Sequence, residues 1–323
     1  MSRRSARWCA AVFLLAVVGW CGRALGEGET KAVTPLEIGA GKAADLPGLH
    51  NVFRLSEKLY SGAVPEGDLG FETLKQLGIR TVISVDGMPP DVKRAHQYGL
   101  RYVHLPFGYD GCPVPTANAI VKAVRDLPGP VYLHCHHGQR RSPTAAAFAR
   151  IALDGVSNEE AMREMERAGA SKDYIGLYGD VRAYRAPTSR ELDGLRVRFR
   201  ELSPTPPMMK AMVEVDDWFD RLKKSAAKGW VTPEGNTDAA AAPAHQALQL
   251  REQYAELLRT AAVAARPEEF RKLMSAGEKD AQALEDALKA GRNLEATQAM
   301  GRLAAGCGSC HTRYRNVPQP AGK

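Results

Sequence analysis

The chain has 323 residues, 44% of them apolar and 25% charged. That composition excludes collagen-like, disordered and purely disulfide-stapled classes and suits two domains of about 150 residues. The formal charge of +7 is concentrated at the start: without Arg3, Arg4, Arg7 and Arg23, 40 basic residues face 37 acidic ones, a net +3, so charge makes no case for nucleic acid.

Residues 1–26 read as a signal peptide. Arg3, Arg4 and Arg7 precede an apolar run over 8–20, shorter than the roughly 20 residues that span a bilayer. Ala24 and Gly26 place small residues where a signal peptidase cuts. An uncleaved anchor is the other reading, and the bulky Trp20 argues against lipid attachment at Cys21. No later stretch reaches membrane length, so a periplasmic or otherwise extracytoplasmic protein without a membrane span is expected. It retains Cys112, Cys135, Cys307 and Cys310, which in an oxidising compartment form two disulfides by default; their contexts argue for other chemistry.

Residues 27–45 are Gly- and Ala-rich and read as a flexible lead-in. Strands are expected over 52–60, 80–85, 100–107 and 131–135, with helices over 66–77, 91–98 and 116–126 between them. Such alternation specifies an α/β domain, a mostly parallel sheet flanked by helices. Further helices are expected to open near Ser142, Ser157 and Asp173, Ser157 and Glu160 having capping-box spacing. The domain spans 46–186. Residues 187–207, ending in Ser203-Pro204-Thr205-Pro206-Pro207, read as a linker.

Within that domain, His134-Cys135-His136-His137-Gly138-Gln139-Arg140-Arg141-Ser142 joins an apolar strand to an Ala-rich helix. A loop wrapped at a helix N-terminus aims successive backbone N–H groups at one anion. The same positive field favours a thiolate at Cys135, and the planar fork of Arg141 matches two phosphoryl oxygens. The phosphate cradle is thus His136, His137, Gly138, Gln139, Arg140 and Arg141. A sulfur-transfer loop is the rival meaning. A metal site at His136 and His137 has no partner ligand at a recognised spacing.

His134-Cys135, five residues, Arg141 and Ser142 resemble the signature of the cysteine-dependent protein tyrosine and dual-specificity phosphatases, over roughly 45–186. The resemblance implies that Cys135 attacks phosphorus to give a cysteinyl-phosphate, Arg141 binds the transferring group, Ser142 assists loss of thiolate, and His134 organises the loop. It also implies a carboxylic acid on a preceding loop, for which Asp110 is the candidate. The interval from Asp110 to Cys135 is short for the family, so either the helix between them is trimmed or the acid comes from elsewhere. Cys112 is either a reversible disulfide partner for Cys135 or a small buried side chain.

After Pro207 the pattern is purely helical. Met208, Met212, Val215, Phe219 and Leu222 form one stripe; Leu250, Tyr254, Leu257 and Ala261 a second; Phe270, Met274, Gly277, Ala281, Leu284 and Leu288 a third; Leu294, Thr297, Gly301, Ala304, Cys307 and His311 a fourth. These specify a four-helix bundle over 208–317, followed by a tail over 318–323. Cys307-Gly308-Ser309-Cys310-His311 is a c-type haem attachment sequence. It predicts one covalent haem c per chain, on Cys307 and Cys310, with His311 as axial iron ligand. The extended string through Tyr314 and Arg315 resembles cytochrome c-prime. That resemblance implies that Tyr314 and Arg315 pack near His311, and that Met209 or Met212 is a candidate sixth ligand; without one, the iron is open to diatomic gases.

The sequence therefore predicts an exported phosphatase fused to a haem c domain for redox or gas sensing or electron transfer. The alternative is an electron-transfer or gas-binding cytochrome whose first domain only binds phosphate or transfers sulfur. The expected partners are a phosphorylated protein or small molecule and a redox partner or diatomic gas. A loop made basic by His136, His137 and Arg140 suits an inositol phosphate as well as phosphotyrosine.

Overall fold

The computed structural model describes residues 38, 41–231 and 242–318. The predicted signal peptide, most of the lead-in and nearly all of the tail lie outside the described residues. Among the described residues no helix is long and apolar enough to cross a membrane.

A six-stranded sheet organises the first domain: β1 (Ala44–Leu46), β2 (Leu49–Arg54), β3 (Leu59–Ala63), β4 (Thr81–Ser84), β5 (Arg101–His104) and β6 (Val131–Cys135), in the order β1-β2-β3-β6-β4-β5. The first three strands form an antiparallel meander, and β3, β6, β4 and β5 run parallel. β6 lies between β3 and β4 with all five residues buried, as expected of a strand covered on both faces. Its carboxyl end therefore opens among the carboxyl ends of its neighbours, where ligands of open α/β sheets bind.

Around the sheet pack α1 (Gly67–Gln76), α2 (Val92–Gln97), α3 (Val114–Asp126), α4 (Arg141–Asp154), α5 (Asn158–Arg167) and α6 (Ile175–Ala183). The Ser157 hydroxyl caps α5 by accepting from Glu160 N at 3.2 Å. The stretch expected as one strand over 52–60 is two, because Leu55 N and Ser56 N both turn back to Leu59 O, at 2.9 and 3.2 Å. Extended structure already begins at Ala44, inside the expected lead-in.

Residues 187–207 are not a free connector. Thr188 and Glu191 form a capping box on a short helix, α7 (Ser189–Gly194), and Leu192 is buried in the sheet domain's core. Beyond it, His104 N donates to Arg200 O at 2.9 Å and Ser203 Oγ to His104 O at 2.6 Å. The stretch thus covers the end of β5, which stops at His104 rather than continuing to 107.

The second domain is a bundle of α8 (Pro207–Ala227), α9 (Pro243–Leu258), α11 (Glu268–Lys289) and α12 (Asn293–Tyr314), with a single turn, α10 (Ala261–Ala264), between α9 and α11. α8 packs on α9, α9 on α11 and α11 on α12. Leu222, Leu250, Leu257, Met274, Leu284 and Leu303 build its core. The fourth stripe is rotated from expectation. Leu294 is 74% exposed, and Ala296, Ala299, Met300 and Leu303 are buried instead. Alanine and glycine on both faces of this helix leave little hydrophobic contrast to show which side turns inward.

Candidate active site

Cys135 ends β6 and is buried; its Sγ lies 3.4 Å from Ser142 Oγ, in the first turn of α4. Ser142 Oγ donates in turn to Gly62 O at 3.1 Å, which ties the start of α4 to β3. The loop between closes through Gly138, whose φ of +70° and contact with the backbone of Gly62 and Ala63 leave no room for a Cβ. Asn51 Nδ2 donates to Gly138 O at 3.0 Å and fixes the turn from outside. Beneath it, His134 meets the Tyr102 hydroxyl at 2.5 Å, and burial pushes the imidazole down to about 4. It is neutral at pH 7 and serves as a fixed part of the loop's base.

Arg141 is fully buried, and its Nη2 donates to Asp86 Oδ1 at 3.0 Å. Asp86 follows the carboxyl end of β4. Burial raises its carboxyl pKa, but the charge of Arg141, with His136 and the Met88 N–H, outweighs that and holds it below the usual range. Gly87 N also donates to Asp86 Oδ1, at 2.6 Å. Nε and Nη1 of Arg141 have no partner among the described residues. A guanidinium anchored at one nitrogen, with two buried donors unspent, is poised for an oxyanion.

The loop after β5 contributes a residue that the sequence reading missed. The ring of Tyr109 lies 4.5 Å from the Arg141 guanidinium and 4.6 Å from that of Arg315, which follows α12. Arg315 Nη2 also donates to Tyr174 Oη at 3.0 Å, while Arg140 stacks on the Tyr174 ring at 5.2 Å. The carboxylate of neighbouring Asp110 folds over Gly108, and its carbonyl rests on Gly176 of α6. Cys112 is buried, its N–H donates to Asp180 Oδ2 at 2.6 Å, and burial with the Asp180 charge raises its thiol pKa well above the usual value. Both Cys112 and Cys135 are free thiols.

The other cradle residues divide by direction. Gln139 packs beside Gly169. His136 and His137 turn to α8, where His136 Nε2 lies 3.0 Å from Asp217 and His137 Nε2 3.2 Å from Asp216 and 3.7 Å from Asp220. Acidic side chains of the second domain therefore meet the two imidazoles that were expected to make the cradle basic. Asp86, Tyr109, Tyr174 and the α8 carboxylates carry no motif; the signal that points to Asp86 is its place just after a parallel strand.

On α12, Cys307 and Cys310 are half-buried free thiols. The Tyr254 hydroxyl lies 3.6 Å from Cys307 Sγ, and Cys310 packs against the bundle core. Burial, aided by Arg315 and Arg140, pushes His311 down to about 3, with Asp216 opposing. A neutral imidazole beside two reduced thiols on one helix face is the donor set that a covalent haem requires. Met212 packs against the bundle core, whereas Met209 sits over Gly87, where a Cβ would stand 2.5 Å from Met209 Cγ.

The dual specificity protein phosphatase TpbA of Pseudomonas aeruginosa (strain UCBPP-PA14) is 30% identical over 174 residues, covering 52% of this chain and 75% of the relative. The chain belongs to the dual-specificity protein phosphatases. The crystal structure of P. aeruginosa TpbA is 28% identical, with 47% of this chain and 91% of that chain covered and a TM-score of 0.38. Residues 209–315 match the Cytochrome C' family, so this phosphatase carries a C-terminal haem domain.

Proposed function

We propose that the chain is an exported cysteine-dependent phosphatase, acting through a cysteinyl-phosphate, whose catalytic loop answers to a covalently bound haem c. The supporting observation for the chemistry is Cys135 Sγ beside Ser142 Oγ under a guanidinium with two unspent donors. In the first step Sγ attacks phosphorus: the S–P bond forms, the P–O ester bond breaks, and the electron pair leaves on the ester oxygen. That oxygen takes a proton from Asp110, whose carboxylate lies over Gly108 on the loop after β5. In the second step the Asp110 carboxylate takes a proton from water, the new O–P bond displaces Sγ, and Ser142 donates to the departing thiolate. Inorganic phosphate is released, and Arg141 holds the equatorial oxygens throughout. The relative is named for acting on proteins, which favours a phosphoprotein substrate over a small molecule.

In the second domain Cys307 and Cys310 would hold one haem and His311 its iron, and Met212 packs against the core of the same bundle while Met209 sits over Gly87. Such a group supplies a redox state and, where one coordination position is open, a site for a diatomic gas. Its influence would pass through this chain's own residues: Arg315, four residues beyond His311, lies on Tyr109, and Tyr109 lies on Arg141. The leader over 1–26 supports export, which also puts the chain where haem c is attached.

The test is phosphate release from an aryl phosphate by haem-loaded, thiol-reduced protein. Cys135→Ser is expected to abolish it and Asp110→Asn to lower it by about 10²–10³-fold. Turnover is expected to differ between ferric, ferrous and NO-bound iron. A silent wild type would overturn the phosphatase reading; equal turnover in all three iron states would overturn haem control alone.

A further inference from the structure

The two histidines that follow the nucleophile are adjacent in sequence, and side chains adjacent in a loop ordinarily diverge. Here they converge. Their ring centroids are 4.2 Å apart and their planes lie at 76° to each other, and both present nitrogens to one turn of α8. His136 Nε2 reaches Asp217 Oδ1 at 3.0 Å, His137 Nε2 reaches Asp216 Oδ2 at 3.2 Å, and Asp220 Oδ2 stands 3.7 Å from the same His137 nitrogen. One donor atom from each of His136, His137 and Asp216 lies within 4.8 Å of the others, and all three residues are half-buried. Three carboxylates, Asp216, Asp217 and Asp220, face the two imidazoles, and Lys223 pairs with Asp220.

We propose that His136, His137 and Asp216 bind a divalent cation of the zinc class, which fastens the cytochrome domain to the phosphatase loop. Two imidazole nitrogens and one carboxylate oxygen are a donor set of borderline softness that zinc accepts, with a fourth position left for water or a neighbouring carboxylate. Bonds of about 2.0–2.2 Å place tetrahedral donors about 3.3 Å apart, so side-chain rotations alone close the cluster. Asp217 stands beside His136 as the neighbouring carboxylate. Each imidazole nitrogen meets its carboxylate oxygen through a shared proton. A cation replaces those protons and offsets the surplus negative charge of α8. The ligands come from the catalytic loop of one domain and the first helix of the other, so occupancy couples domain docking to the loop that holds Cys135. The site rests on these ligands and not on the phosphatase chemistry, and it can be tested whether or not the protein turns over a substrate.

The experiment uses full-length haem-loaded protein stripped with a chelator and titrated with Zn²⁺ against a chromophoric competitor, with Co²⁺ absorption as a second readout. Wild type is expected to take up one equivalent with an unchanged haem spectrum and to give tetrahedral Co²⁺ bands. Asp216→Asn is expected to weaken binding at least tenfold, and Asp216→Asn with Asp217→Asn to remove it, both with the haem spectrum intact. Cys135→Ser is expected to bind as wild type does. Loss of binding in Cys135→Ser would place the cation on the catalytic thiol and overturn the proposal, as would undiminished binding in the double variant. A wild type that takes up no zinc, with a haem spectrum that changes in His137→Ala, would assign the imidazole to iron instead and overturn it equally.

Discussion

Arg141 shows what a single buried charge does for this fold. It is 1% exposed and pairs with the Asp86 carboxylate at 3.0 Å. Removing one member of a buried pair leaves an uncompensated charge, which typically costs about 3–5 kcal/mol. Asp86→Asn keeps the shape and an acceptor oxygen but removes the charge, so a loss of about 3 kcal/mol in denaturant unfolding is expected. The unpaired guanidinium should then take an anion more readily. Inorganic phosphate is expected to recover a larger part of the stability in Asp86→Asn than it adds to wild type; equal phosphate stabilisation in both proteins would show that Asp86 does not tune the arginine. Cys135, Arg141 and Ser142 were legible in the sequence because a fixed spacing on one strand, loop and helix brings them together. Asp86 and Tyr109 reach the same pocket from other strands, through contacts that no local pattern encodes.

At the scale of elements, periodicity and turn chemistry located nearly every helix and the central strand β6, whose apolar run has its expected bounds. Two kinds of feature escaped. The turn between β2 and β3 was hidden because Leu55 and Leu59 continue the apolar pattern across it. The inward face of α12 was hidden because small residues lie on every side. Glycines on the bundle helices now separate those faces. Gly277 of α11 makes room for Tyr254, so that a Cβ there would stand 2.8 Å from the ring, whereas a Cβ at Gly301 of α12 would meet nothing within 4 Å. Replacing a helix-interior glycine by alanine gains roughly 0.8–1 kcal/mol, and overpacking costs about 1–3 kcal/mol. Gly301→Ala is therefore expected to raise the thermal midpoint, and Gly277→Ala to lower it while displacing the Tyr254 hydroxyl from Cys307. Equal shifts of one sign in the two variants would contradict this orientation of the bundle.

Across the whole molecule, the joint between the domains lies on the catalytic loop. Tyr109 is held between Arg141 of the phosphatase and Arg315 of the haem domain, Gly176 N donates to Asn316 O at 3.0 Å, and α8 presents its carboxylates to His136 and His137. Each domain was legible on its own in the sequence; their contact was not, because the residues that make it are scattered over 87–316 and no local pattern pairs them. Docking at this place limits what can approach Cys135. A small aryl phosphate needs only the cradle, whereas a phosphorylated protein loop must also clear Arg315 and the start of α8. Arg315 contributes a cation–π contact worth about 0.5–2 kcal/mol and a hydrogen bond worth about 1 kcal/mol, so its loss weakens docking by roughly 2 kcal/mol. Arg315→Gln is expected to raise kcat/KM for a folded phosphoprotein or long phosphopeptide by about tenfold, with a change of less than threefold for the aryl phosphate. The quantity that decides is the ratio of the two specificities, since an effect on the chemistry at Cys135 would move both substrates together. A ratio unchanged from wild type would mean that the haem domain rests on the loop without restricting access to it.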